Sequence, residues 1–150
     1  MPLLVDLRTR LKHRRGVLVD SNVLLDIAMN DANWSGWSKQ VVADCAEQSQ
    51  LIINPIIYAE VSVSFAAIEA LDVALPGEIY RREPLPWEAG FLAGKCYLAY
   101  RRRGGTRTAP LPDFYIGAHA AVSNLALLTR DAVRYRTYFP SLEILHPSQP

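Results

Sequence analysis

VLVDSNVLLDIA, residues 17–28, changes its periodicity at Asp20. Before that residue, Val17, Leu18 and Val19 form an unbroken apolar run, the pattern of a strand buried on both faces. After it, Val23, Leu24, Ile27 and Ala28 recur at helical spacing. A strand that hands over to a helix through an acid is the opening of a parallel α/β unit. In such sheets the ligand crevice lies at the carboxyl ends of the strands.

The alternation continues outward. Gly36 to Gln48 reads as a helix, with Asn33 and Ser35 placed to cap it. Leu51-Ile52-Ile53 reads as a second buried strand. Asn54-Pro55 follows, a capping residue with proline at the first helical position, and predicts a long helix to about Leu75, stopped by Pro76-Gly77. Another helix is expected over Pro86 to Arg103, ended by Gly104-Gly105, and a further one from Asp113 to about Asn124. Leu125 to Thr129 and Leu142 to Leu145 read as a third and a fourth strand. This order predicts an α/β fold, a three-layer α/β/α sandwich around a central parallel sheet. No linker is visible, so one domain over 1–150 is expected. Residues 1–16 form a basic N-terminal extension carrying Arg8, Arg10, Lys12, Arg14 and Arg15.

Composition narrows the function. The chain is 50% hydrophobic and 21% charged, enough for a core and too balanced for disorder. Its net charge of +1 excludes a globally basic nucleic-acid binder, so any nucleic-acid surface is a local patch. Cys45 and Cys96 are too few for a disulfide framework and read as buried thiols in a reducing compartment. Residues 1–16 lack the continuous apolar core of a signal peptide. No stretch approaches the roughly 20 apolar residues of a membrane span. The expectation is a soluble cytoplasmic protein without a membrane partner.

Most acids have a plain explanation: Asp44, Glu47, Asp72, Glu78 and Glu88 sit among polar neighbours and are expected to be solvated. Four others do not. Asp20 and Asp131 each fall just beyond a strand. Glu60 has Ile56, Ile57, Val63 and Ser64 at three and four positions, which sets it on or beside an apolar helix face. Asp113 opens a helix after Leu111-Pro112. Parallel strands bring all four to one edge of the sheet. Carboxylates gathered there need a counter-charge, and an all-oxygen set suits Mg²⁺ or Mn²⁺. With three histidines and neither HExxH nor CxxC, a zinc site is poorly supported.

Four segments then fall into a known order. VLVDSNVLLD (17–26), NPIIYAEV (54–61), LPDFYIGAHA (111–120) and LLTRDAVRYRTYFP (127–140) resemble the motifs of the PIN-domain nucleases, and more narrowly the VapC-type toxins of toxin–antitoxin pairs. The resemblance implies a Mg²⁺- or Mn²⁺-dependent endoribonuclease that acts on RNA, a homodimer, and a cognate antitoxin that occludes the acidic pocket. It makes Asp20, Glu60, Asp113 and Asp131 the catalytic and metal-binding quartet, with Asp20 and Asp113 the principal ligands. Ser21 and Asn22 take the polar positions after the first acid, and Thr129 the hydroxyl before the last. In two respects the chain departs from the family: residues 1–16 have no counterpart, and Ser21 stands where Thr is common.

Arg101, Arg102, Arg103 and Arg107 flank Gly104-Gly105 just before Asp113 and are candidate contacts to an RNA backbone. Arg130, with Arg134 and Arg136, forms a second candidate patch. His119 lies six residues beyond Asp113, turned away from it on a helix, and is expected to be structural or at the surface. Trp34, Trp37 and Trp87 are expected in the core or at a dimer interface rather than stacked on bases. Two other readings stay open: an inactive RNA-binding or interaction module, and a nuclease acting on DNA. An aspartyl-phosphate enzyme would need a second Asp at the position of Asn22.

Overall fold

A computed structural model of the chain describes residues 2–108 and 111–147, with only the backbone described for residues 2–5. In chain order the elements are α1 (Pro2–Leu11), β1 (Gly16–Val19), α2 (Ser21–Ala28), α3 (Ser35–Gln48), β2 (Leu51–Ile53), α4 (Pro55–Ser62) and α5 (Ile68–Ala74). There follow β3 (Tyr80–Arg82), α6 (Trp87–Arg102), α7 (Pro112–Val122), β4 (Leu125–Leu128), α8 (Val133–Tyr138) and β5 (Ile144–Leu145).

The five strands form one parallel sheet in the order β3-β2-β1-β4-β5. Every residue of β1, β2 and β4 is buried, as strands with helices on both faces must be. The chain therefore has the three-layer α/β architecture expected of it. From β1 it runs outward through β2 to β3, then returns to the other side of β1 for β4 and β5. The reversal falls between β1 and β4, and the ends of these two strands form the crevice such sheets use for ligands. Val19 pairs with Leu128 there, and the Asp20 N–H donates to the Leu128 carbonyl at 2.9 Å.

Several expectations need correction. The helix predicted from Asn54 to Leu75 is two helices, α4 and α5. The Ser62 hydroxyl donates back to the Ala59 carbonyl at 2.6 Å, and Phe65 and Leu71 turn inward onto the core, so tertiary packing breaks a helix that has no Gly or Pro beyond Pro55 at its start. The edge strand β3 and the short helix α8 were not anticipated. In the basic N-terminal extension, α1 packs on α3, with Leu7 and Leu11 buried. Its charges are used locally. Arg10 pairs with Glu143 at 2.7 Å, and Arg15 grips Glu83. Asp44 is not solvated but 5% exposed, on the helix that α1 packs against, where it accepts from Gln40 Nε2 at 2.9 Å. Of the two places expected for Trp87, core or dimer interface, the core is ruled out, since the residue is 93% exposed. Neither Asn33 nor Ser35 caps α3; Asp31 Oδ1 instead accepts the Asn33 and Trp34 N–H groups, both at 2.9 Å. Cys45 and Cys96 are free and buried, and burial pushes the Cys45 thiol up to about 12. Among the described residues no helix is long and apolar enough to cross a membrane.

Gly117 on α7 marks a close approach in the core. A Cβ there would lie 2.3 Å from the Phe139 ring, which is itself buried. Gly117→Ala is expected to destabilise the fold by about 1–3 kcal/mol through overpacking. Chemical denaturation checks this: an unchanged midpoint would mean that Phe139 yields freely.

Candidate active site

Asp20 ends β1 and caps α2. Its Oδ1 accepts the Ser21 N–H at 2.8 Å, and the residue is 4% exposed. Oδ2 accepts two hydroxyls, Thr129 Oγ1 at 2.8 Å from the end of β4 and Tyr135 OH at 3.0 Å from α8. Thr129 is fully committed. Its one proton goes to Asp20, while its oxygen accepts Asn22 Nδ2 at 3.2 Å and the Asp131 N–H at 3.1 Å. Asn22 completes the lock, its Oδ1 accepting the Arg130 N–H at 3.2 Å. Ser21 reaches the other way and donates to Glu60 Oε1 at 3.0 Å.

Asp113, in the first turn of α7, shares Tyr135 with Asp20: Tyr135 OH lies 3.2 Å from Asp113 Oδ1. A phenol has a single proton to donate, so it serves only one of these carboxylates when both are ionised. Burial raises the proton affinity of Asp20, and the Asp113 charge raises it further against the hydrogen bonds from Thr129, Ser21 and Tyr135. Glu60 is raised by burial too, with Asp20 and Asp113 adding to the shift and the Ser21 hydroxyl opposing it. Asp113 is likewise raised, first by burial and then by Asp131, with Tyr135 and Arg134 opposing. Burial and the two neighbouring carboxylates push the Tyr135 phenol well above its ordinary value.

Asp20, Glu60 and Asp113 thus form one electrostatically coupled group. Asp131 lies exposed beside it, touching Thr129 through its backbone and Asp113 through its charge. The nearest cation is Arg134, whose Nη1 is 3.8 Å from Asp113 Oδ2. Among the described residues no three carboxylate, imidazole or thiol groups close on a single point as the side chains stand. The donor set nonetheless fits a hard divalent cation: buried, mutually repelling carboxylates with little positive charge nearby.

Other candidates fall elsewhere. Arg130 points inward, with Nε and Nη2 on the Asp26 carboxylate at 2.7 and 3.0 Å and its guanidinium over the Trp34 ring. Arg101 spans its own loop, donating to the Gly105 and Arg107 carbonyls at 3.0 and 3.3 Å. Arg102, Arg103 and Arg107 are exposed. Tyr135 is the functional residue missed from sequence. Its signal was there: Ala132, Tyr135 and Phe139 recur at helical spacing and all are buried, and a buried phenol must find a partner.

His119 is buried and structural. Asn54 Oδ1 accepts the Ile57 N–H, so its Nδ2 donates to His119 Nδ1 at 2.9 Å, leaving the imidazole proton on Nε2, 3.5 Å from Glu83. Burial holds this imidazole below its usual value of 6.5, against the opposing pull of Glu83. A histidine depressed in the fold gives its full stability above the unfolded value and loses it as pH falls through the folded one. At pH 7 the ring is expected to be the neutral Nε2–H tautomer in long-range proton–nitrogen spectra, and to take up its second proton at a lower pH than a free imidazole does. A cationic ring at that pH would contradict the assignment.

Coupled carboxylates at the topological switch of a parallel sheet define an acidic α/β site. The PIN domain family model matches residues 17–140, and the chain belongs to that family. No curated protein matches it by sequence. Among solved structures it resembles VapBC2 from Rickettsia felis bound to a DNA fragment from its promoter, at 15% identity and TM-score 0.65, covering 88% of this chain and 98% of that one. VapBC-1 from nontypeable Haemophilus influenzae matches at 18% identity and TM-score 0.65, over 87% and 96%. A toxin–antitoxin complex from Klebsiella pneumoniae matches at 19% identity and TM-score 0.64, over 90% and 100%. At such identities the likeness is one of fold.

Proposed function

We propose that this chain is a Mg²⁺- or Mn²⁺-dependent endoribonuclease and the toxin of a toxin–antitoxin pair. The observation that carries the reading is Asp20, a nearly inaccessible carboxylate held by Thr129, Ser21 and Tyr135 against the charges of Asp113 and Glu60. Burying such a group is costly unless something positive completes it. Asp20 and Asp113 would be the principal ligands, with Glu60 and Asp131 binding directly or through water. A divalent ion bound there supplies an acidified water and positive charge at the phosphoryl oxygens.

The chain's own residues do the rest. Thr129 and Ser21 fix the rotamers of Asp20 and Glu60. Asn22 fixes Thr129, and through the Arg130 N–H it fixes the turn that carries Asp131. Glu60 and Asp131, the less enclosed carboxylates, are placed to take a proton from an attacking water. The arginines at the end of α6 would contact the RNA backbone. An antitoxin partner belongs to the same proposal, supported by the toxin–antitoxin complexes among the similar folds; a homodimer and a cytoplasmic setting go with it on the family resemblance alone.

The test is incubation of the purified, antitoxin-free chain with a mixed cellular RNA pool, in Mg²⁺, in Mn²⁺ and in chelator, beside Asp20→Asn. Discrete cuts that need the metal and Asp20 support the reading. A folded protein that binds RNA without cutting it would instead be a binding module, and cuts confined to DNA would reassign the substrate.

A further inference from the structure

Seven of the arginines at or near the described surface have local work: Arg10 on Glu143, Arg15 on Glu83, Arg81 near Glu83, Arg82 on Asp72, Arg130 on Asp26, Arg101 on its own loop and Arg136 on His146. Two more, from separate stretches of sequence, meet in one cavity, and of these only Arg134 has an ion pair among the described residues, the 3.8 Å approach to Asp113. Arg103, the cap residue of α6, and Arg134 of α8 line the same cavity of about 430 Å³, with Asp131 and Tyr138 also in its wall. Among the described residues Arg103 has no carboxylate within ion-pair distance, and its guanidinium lies over the Tyr138 ring, 5.1 Å from the centroid. The Arg134 side chain is 42% exposed, and its contact with Asp113, at 3.8 Å, is loose.

Three features make this cavity more than two surface charges. It lies next to the acidic group, because the charge of Asp131 in its wall acts on Asp113 and Arg134 reaches towards Asp113. Its wall carries two guanidiniums against one carboxylate, an excess of positive charge beside the coupled carboxylates. A polyanion approaching those carboxylates is repelled unless its neighbouring charge is met close by. And Arg103 is already ordered by the aromatic ring beneath it, so gripping an anion costs little further side-chain entropy. The Thr137 hydroxyl, also in the wall, is spent on the Val133 carbonyl at 3.0 Å, so the two guanidiniums, with the Tyr100 and Tyr138 hydroxyls beside them, are the donors left in the wall.

We propose that this cavity is a phosphate-binding subsite, in which Arg103 and Arg134 hold the backbone phosphate of a single-stranded RNA adjacent to the one placed at the acidic group. The subsite rests on the nuclease reading and adds the path of the strand to it: from the switch between β1 and β4, across Asp131, towards the end of α6. Two guanidiniums from different elements fit the tetrahedral oxygens of a phosphodiester and read no base. The arginines of the loop itself, Arg101 and Arg107, lie outside the grip.

The probe is a short fluorescein-labelled oligouridylate, titrated by anisotropy at several salt concentrations in the full chain carrying Asp20→Asn, which leaves the RNA uncut. Adding Arg103→Ala or Arg134→Ala is expected to weaken binding about tenfold and make the salt slope shallower by about 0.7 for each arginine. Arg8→Ala, which removes the same charge from α1, should change neither. A matched deoxyoligonucleotide should show the same dependence, since the contact is to phosphate. Arg103→Gln and Arg134→Gln, which keep the bulk of the side chains, repeat the measurement should an alanine variant unfold. Unchanged affinity and slope, an equal loss in Arg8→Ala, or a dependence seen with RNA and absent with DNA overturns the subsite. Binding is read apart from cleavage: absence of metal-dependent cutting by the unmodified chain sinks the nuclease reading, while these titrations sink only the subsite.

Discussion

Asp113→Asn is expected to lower RNA cleavage by about 10³-fold or more, equivalent to about 4 kcal/mol of transition-state stabilisation, while making the metal-free protein harder to unfold. The two effects share one cause. Asp113 is half-buried, its carboxyl raised by burial and by Asp131, and its contacts are few: Tyr135 OH on one oxygen and the loose approach of Arg134 on the other. A carboxyl raised in the fold contributes its stability in acid and loses it as pH rises through the folded value, so at neutral pH its charge works against folding. Asparagine keeps the shape and can still accept the Tyr135 proton, and it removes the repulsion on Asp20 and Glu60 that accompanies the charge. Thermal unfolding in chelator should therefore show the variant above the parent at pH 7, with the gap closing towards acid. Mg²⁺ should raise the parent's unfolding temperature and the variant's much less. A variant that cuts RNA normally would remove Asp113 from the chemistry. One that is less stable at pH 7 would mean that its charge is compensated by something other than a cation.

The fold was legible where burial alone sets the pattern. Val17-Leu18-Val19, Leu51-Ile52-Ile53 and Leu125 to Leu128 are strands with no polar face, and a short apolar run ending in a polar residue can hardly be placed elsewhere in an α/β chain. β3 was not legible because Tyr80-Arg81-Arg82 is an edge strand with two exposed arginines, and its order comes from pairing with β2 rather than from its own residues. α1 was hidden by its charges, which look like a solvated arm until Arg10, and Arg15 just beyond the helix, find Glu143 and Glu83 across the fold. The acids were legible as a set because strand ends and helix starts converge at one edge in a parallel sheet. What could not be read was who holds them. Tyr135 lies more than a hundred residues from Asp20, and only the return of the chain to β4 and α8 brings its phenol between Asp20 and Asp113.

Asp26→Ala is expected to cost about 3 kcal/mol of stability and, by loosening the site, about tenfold in cleavage. Asp26 is 3% exposed and carries three charge-assisted bonds: Arg130 Nε at 2.7 Å, Arg130 Nη2 at 3.0 Å and Ser38 Oγ at 2.8 Å. Removing it strands the Ser38 hydroxyl, which has no exposure, and deprives a half-buried guanidinium of its partner. Arg130 retains some access to water, which keeps the cost at the lower end for a broken buried pair. The functional loss follows from connectivity. Arg130 lies between Thr129, which holds Asp20, and Asp131, and its N–H is fixed by Asn22. An arginine committed in this way cannot also hold RNA. Arg130→Ala should accordingly lower stability and cleavage while leaving the salt dependence of RNA binding as it was. A shallower slope in that variant would return Arg130 to the RNA-contact role its position beside Asp131 first suggested. Asp26→Leu combined with Arg130→Met, which replaces the pair by apolar bulk, should recover most of the stability, because the energetic penalty lies in breaking the pair rather than in lacking it. If cleavage stays low in that double variant, the pair matters for the position of Thr129 and Asp131 and not only for the fold.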